Sequence, residues 1–253
     1  MEQERRVLFL DIETAPNLAY VWGMWEQNVI DFKSQWYIMC FSAKWKDGEH
    51  ITKGLSDYRE YRNGKENDRE LVKELWDLIN QAEIVVAHNG DQFDLRKINT
   101  RFSYYNLPPP SPYKTVDTKK IAKRYFSFNN NSLDNLGEYL NLGRKIKHGG
   151  FELWQGCMSG DNKSWRQMKA YNKQDIVLLE KVYFHLLPWM KNHPNMGIYI
   201  NGTVCPKCGS RSLVRKGIQH NSTTSYHRIK CKDCRGWCRA TVNLQESRPL
   251  VSV

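Results

Sequence analysis

The chain has 253 residues, 40% of them hydrophobic and 12% aromatic, enough for one large core and a small appendage. No apolar run approaches the roughly 20 residues that span a bilayer, and the opening MEQERR, running directly into VLFLDIE, lacks a secretory-signal pattern. The net charge of +11 favours a polyanionic partner, and it is uneven: residues 201–253 hold ten Lys or Arg against Asp233 and Glu246, a net of +8 that leaves +3 for the first 200 residues. A solvated basic tail is the bland reading; a patch this concentrated suits phosphate backbones better.

Along the chain, residues 7–14 read as a buried strand. YIMCFSAKW (37–45) and HITKGL (50–55) flank Asp47-Gly48, a hairpin signal. Residues 68–82 read as an amphipathic helix, with Leu71, Leu75, Leu78 and Ile79 on one face. EIVVAH (83–88) is a short apolar strand ending in an Asn89-Gly90 turn. A helix over 94–105 is stopped by three prolines at 108–110. KTVDT (114–118) is a strand, followed by helices over 119–126, over 132–142 with Ser132 as cap, and over 163–187. Hairpin first, then strand–helix alternation, predicts an α/β fold: a mixed sheet with helices on its faces. Trp22, Trp25 and Trp36 fall in an insertion between strands and, like Trp45, are expected chiefly to pack, with stacking on unpaired bases the alternative.

The chemistry-bearing residues are acids. On a strand, Asp11 and Glu13 point the same way and Ile12 the other. Two such anions repel unless a proton or a cation intervenes. Asp94 follows a strand and a tight turn. Asp175 shares a helix face with Tyr171, four residues before it, and with Leu178, Leu179, Val182 and Leu186. That face is the buried one, and a buried carboxylate needs a partner.

DIET, HNGDQFD and YNKQD resemble the three motifs of DEDD-type 3′–5′ exonucleases. The connecting VDTKKIAKRYF…NNSLDNLGEYLNL resembles that family too, especially stand-alone relatives of the proofreading domain of B-family DNA polymerases. Tyr171, rather than His, before the last Asp places the resemblance in the tyrosine branch. It spans about residues 7–190 and implies a ribonuclease H-like fold in a domain over 1–195. It further implies that Asp11, Glu13, Asp94 and Asp175 bind two Mg²⁺ or Mn²⁺ ions, with Asp11 touching both, and that Tyr171 orients the attacking water. Thr14 and Asn89 match positions that touch the terminal nucleotide in relatives; Phe93 would wedge beside a base or belong to the core. Asp91 is set aside for Asp94, which follows Phe93 as the family pattern requires. Asp117 and Asp134 read as cap or turn residues and His88 as structural. Lys145, Lys147 and His148 would line the substrate groove or form a solvated loop. Independently, phosphodiester cleavage needs an activated water and a stabilised leaving oxygen, which two ions about 4 Å apart supply.

Seven cysteines are present, and four form the knuckles CPKC (205–208) and CKDC (231–234). This resembles a zinc ribbon over 201–253, with Cys205, Cys208, Cys231 and Cys234 holding one structural Zn²⁺. Cys238 reads as a strand residue, and His220 or His227 as unneeded substitutes. Paired knuckles point to metal in a reducing compartment, hence to the cytoplasm of a bacterial or phage-infected cell. The leading expectation is a metal-dependent 3′–5′ exonuclease acting on single-stranded or frayed DNA ends in replication or repair, with a separate polymerase as a partner. An RNA-trimming exonuclease, a structure-specific endonuclease and an inert nucleic-acid-binding protein are the alternatives.

Overall fold

The structure, a computed structural model, describes residues 7–25, 28–62, 64–245 and 250. It divides into two compact units, Met1–Val182 and Tyr183–Val253.

The first unit is built on a five-stranded sheet. β1 (Val7–Thr14) is followed by a small hairpin, β2 (Leu18–Tyr20) and β3 (Asp31–Ser34), then by β4 (Ile38–Trp45) and β5 (His50–Gly54). After helix α1 (Arg69–Asn80) come β6 (Ile84–Ala87), α2 (Asp94–Tyr104) and β7 (Lys114–Asp117). Four helices follow: α3 (Thr118–Tyr125), α4 (Leu133–Tyr139), α5 (Phe151–Ser159) and α6 (Asn162–Leu186). The strand order is β5-β4-β1-β6-β7. The first three pair antiparallel, while β6 and β7 run parallel to β1. This is a mixed α/β fold with helices against the sheet.

Local chemistry explains the elements. The β4–β5 turn closes at Asp47, which takes a left-handed φ of 66°, with Gly48 N–H donating to Trp45 O. The apolar stripe of α1 (Leu71, Leu75, Leu78, Ile79) is buried in a core shared with β1 and β4. Asp68, fully buried at the start of α1, accepts from Ile38 N–H (2.9 Å), Arg101 Nε (2.8 Å) and Tyr105 Oη (2.6 Å). A buried carboxylate is tolerable because each of these donors meets it.

Two elements lay outside the sequence expectation. The β2–β3 hairpin occupies the tryptophan-rich insertion, and Trp22 and Trp25 stand 90% and 83% exposed. Packing is therefore not their role, though Trp45 is buried. Helix α5 was also unread, although Leu153 with Cys157, and Trp154 with Met158, repeat at i, i+4.

In the second unit, β8 (Leu213–His220), β9 (Ser225–Cys231) and β10 (Trp237–Arg239) form an antiparallel sheet in the order β10-β9-β8. Within residues 201–245 the buried apolar side chains are Cys205 and Cys231.

Candidate active site and metal centres

β1 sorts its side chains by parity. Leu8, Leu10 and Ile12 enter the core; Asp11 and Glu13 occupy the opposite face, cross-strand from Ser42 and Cys40. On that face α6 lies near: Cys40 Sγ is 3.6 Å from Asn172 Oδ1, and Asn172 Nδ2 donates to Asp11 Oδ2 (2.6 Å). One turn of α6 then brings Asp175 to the same place. Ligating oxygens of Asp11, Glu13 and Asp175 lie within 4.8 Å of one another.

Asp94 comes from the end of β6. Ala87 is followed by a turn in which Asn89 has φ 68°, and a Cβ on Gly90 would meet Ala87 Cβ at 2.4 Å. Only glycine fits that turn. The Asn89 N–H donates to Asp117 Oδ1 (3.0 Å), which also caps α3 through the N–H groups of Lys119 and Lys120. Asp94 then opens α2, buried, its Oδ1 accepting from Ile12 N–H (3.1 Å). It stands beside the other three acids, and its charge acts on Asp11 and Glu13.

The cost of this gathering is written in the acidities. Burial, and then the charges of Asp94, Asp175 and Glu13, push Asp11 well above the usual carboxylate value. Burial and Asp175 raise Glu13 to about 8, and burial raises Asp94 to about 7. Burial also raises Asp175, with Lys145 opposing. Lys145 Nζ lies 2.6 Å from Asp175 Oδ2 and donates to Tyr171 Oη (2.8 Å). Burial disfavours the ammonium, yet Asp175 beside it holds it above the ordinary lysine value. Burial and the Asp175 charge move the Tyr171 phenol up to about 12, so it stays protonated and serves as a hydrogen-bond group. One ammonium, that of Lys145, faces four carboxyl groups that resist ionising together.

A divalent cation fits these residues. The donors are hard oxygens, and Asp175 Oδ1 is buried without a hydrogen-bond partner while Oδ2 meets Lys145. Asp11, Glu13, Asp175 and the adjacent Asp94 are the groups that would hold it.

Next to the acids, Thr14, Trp36, Lys97, His148, Phe151 and Trp154 line a cavity of about 520 Å³. The Tyr171 ring lies 4.7 Å from His148 and 6.4 Å from Trp154. Of the residues expected to touch nucleotide, Thr14 lines this cavity; Asn89 and Phe93 do not. Asn89 holds the turn before Asp94, and Phe93 is 39% exposed with Lys97 Nζ 5.4 Å from its ring. Sequence reasoning missed Asn172, one residue after Tyr171 in YNKQD, and read Lys145 only as groove or loop. Nothing in KIKHGG signals that Lys145 turns inward; Asp134 fixes it there by accepting the Lys145 N–H (2.8 Å).

In the second unit the two knuckles face each other. Cys205 Sγ is 3.7 Å from Cys234 Sγ, and Cys208 Sγ is 3.7 Å from Cys231 Sγ. All four sulfurs lie within 4.8 Å. Tetrahedral Zn²⁺ at about 2.3 Å would set sulfurs about 3.8 Å apart, so the cluster fits a zinc ribbon. Gly209 (φ 80°) and Arg235 (φ 58°) turn the two loops, and Cys238 lies in β10 outside the cluster.

The chain belongs to the RNase_H superfamily, whose family model matches residues 8–187. Among solved structures it is similar to the family B DNA polymerase from the hyperthermophilic archaeon Pyrobaculum calidifontis, at TM-score 0.55 and 16% identity. That likeness is one of fold; it covers 73% of this chain and 25% of the polymerase chain. A comparison with curated proteins finds no match. Superfamily and fold together support a nuclease in general terms. No helix among the described residues is long and apolar enough to cross a membrane.

Proposed function

We propose that this protein is a metal-dependent 3′–5′ exonuclease of the tyrosine branch, acting on single-stranded or frayed DNA ends in replication or repair. The observation that carries the reading is the convergence of Asp11, Glu13 and Asp175, with Asp94 alongside and Tyr171 one helical turn away. Divalent ions, Mg²⁺ or Mn²⁺, bound to these carboxylates would supply charge stabilisation at the scissile phosphate and an activated water. The chain's own residues do the rest. Asn172 fixes the Asp11 carboxylate, Lys145 holds Asp175 and Tyr171 in place, and Tyr171 offers its O–H to orient the water. Thr14 borders the cavity that would take the terminal nucleoside, with Asn89 and Phe93 shaping the turn beside it. In the second unit Cys205, Cys208, Cys231 and Cys234 would hold one structural Zn²⁺, and its positive charge would add affinity for substrate. A separate polymerase would be the natural partner.

Digestion of 5′- and 3′-labelled DNA and RNA oligonucleotides tests the reading. Expected are mononucleotides released from the 3′ end of DNA, dependent on Mg²⁺ or Mn²⁺, and a loss on the order of 10³-fold in Asp175→Asn, the size of a lost charge-stabilising contact. Full activity in chelator, or internal cuts, would sink it; faster loss of RNA would move the substrate to RNA.

A further inference from the structure

We propose that one face of the three-stranded sheet in the second unit is a stacking platform for single-stranded nucleic acid. This rests on reading the unit as a nucleic-acid holder, and is independent of the carboxylate chemistry.

Register defines the face. Trp237 pairs with Lys230, Arg239 with Arg228, and Gln219 with Tyr226. Paired residues share a side and alternate residues repeat it, so Tyr226, Arg228, Lys230, Trp237 and Arg239 lie together. Their contacts interleave charge with aromatic rings. Lys230 Nζ and the Arg228 guanidinium lie 4.7 and 5.0 Å from the Trp237 ring centroid, and the Arg239 guanidinium lies 3.9 Å from that of Tyr226. Trp237 is nevertheless 47% exposed. The Trp237 ring therefore sits at the surface already flanked by cations, and Tyr226 lies half-buried beside it.

Charge selects the occupant. Strands β8, β9 and β10 contain Arg215, Lys216, Arg228, Lys230 and Arg239, and no acid. Around the edge of the face, a cleft of about 580 Å³ is lined by Trp189, Lys191, Trp237 and Arg239 among others, again without an acid. A base stacked on Trp237 or Tyr226 would place its phosphates next to these cations. A paired duplex offers phosphates but keeps its base faces stacked inside, so the exposed Trp237 ring favours a single strand.

The test is fluorescence anisotropy of the full zinc-loaded chain with a labelled oligothymidylate capped by 3′ phosphorothioates, and with a matched duplex. Trp237→Ala is expected to raise the single-strand Kd roughly 5- to 100-fold, the range for one lost stack, with little change for duplex. Trp237→Phe, which keeps a ring, is expected to retain most of the affinity. Arg228→Gln with Arg239→Gln is expected to weaken both ligands and flatten the salt dependence. Native mass spectrometry confirms zinc in each variant. Unchanged single-strand affinity in Trp237→Ala and Tyr226→Ala, or an equal loss for duplex, overturns the proposal and leaves the face to an acidic protein or a second copy of the chain. Hydrolysis of thymidine 5′-p-nitrophenyl phosphate, followed in parallel, reports on the carboxylates alone. It should stay at wild-type rate in these variants, and its absence throughout would fault the nuclease reading without touching the binding result.

Discussion

The two metal-ready clusters of this protein are assembled in opposite ways. The acids arrive from β1, the start of α2 and the middle of α6, and up to 161 residues separate Asp11 from the Asn172 that holds it. The thiols arrive from two short loops. The acid cluster sits on a sheet with a filled core behind it: Leu8, Leu10, Phe41, Leu71 and Leu75 are fully buried. The thiol cluster has almost no core, since within 201–245 the buried apolar side chains are two of the ligands themselves. One site is a charge problem placed on a finished fold; in the other, the site is the fold.

The largest effect that could break this contrast is zinc removal. Cys231→Ser, or a strong thiol-selective chelator, is expected to unfold residues 201–245 outright while the first unit keeps its melting transition. Zinc binding to structural thiolate sites is worth about 10 kcal/mol or more, beyond what the sparse apolar packing could replace. Limited proteolysis with calorimetry reads both units, and a ribbon that stays protected without metal would erase the distinction.

Next in size is Asp11→Asn. It should reduce nucleotide release about 10³-fold or more, yet leave the first unit at least as stable without divalent cations. The substitution removes a carboxyl whose ionisation is opposed by burial and by the charges of Asp94, Asp175 and Glu13, and it keeps the shape that Asn172 contacts. A matched fall in activity and in melting temperature would mean that Asp11 serves the fold.

The acidities sharpen the contrast further. Glu13 and Asp94, at about 8 and 7, titrate above their unfolded values. A carboxyl with a raised folded value favours the folded state fully below its unfolded value and loses that contribution as pH rises through the folded one. Without divalent cations the first unit should therefore lose stability between about pH 4.5 and 8. Bound Mg²⁺ favours the ionised forms, so the melting-temperature gain on adding it should grow from pH 5.5 to 8.5. A gain independent of pH would show that these acids do not meet the cation.

How each region could be read follows from the same difference. Two C-x-x-C pairs carry their geometry in their spacing, so the thiol cluster is visible as text. Asp11 and Glu13 are visible because strand parity is local, and Asp175 because Tyr171 and the leucines after it share one helical stripe. What was hidden depends on tertiary convergence. Lys145 lies in an irregular loop whose inward turn is set by Asp134. Asn172 looks like one more polar residue until Asp11 is known to face it. Trp22 and Trp25 look like core by composition, but they lie exposed between the strands of a separate two-stranded hairpin. Helix α5 carries a legible signal in its i, i+4 repeats.

The smallest expected effect probes a buried base near the acids instead of an acid. His88 Nε2 lies 2.9 Å from Asn131 O, which can only accept, and Nδ1 lies 2.9 Å from Thr118 Oγ1. The neutral ring therefore donates from Nε2 and accepts the Thr118 hydroxyl at Nδ1. Burial, outweighing the Asn131 bond, lowers its pKa to about 4. The sign is opposite to that of Glu13: the contribution is complete above the unfolded value near 6.5 and disappears as pH falls through the folded one. Between pH 6.5 and 5 the loss should reach about 2 kcal/mol at most. On protonation Nδ1 would donate to Thr118 Oγ1, whose hydroxyl has Ala87 O as an acceptor 3.2 Å away, which limits the damage. Denaturant melts of wild type and His88→Gln over that range isolate the term, because every other titrating group is shared. The variant should start less stable at pH 7 and show the shallower decline on acidification; parallel declines would mean that His88 titrates alike in the folded and unfolded chains, so that its burial does not oppose the charge.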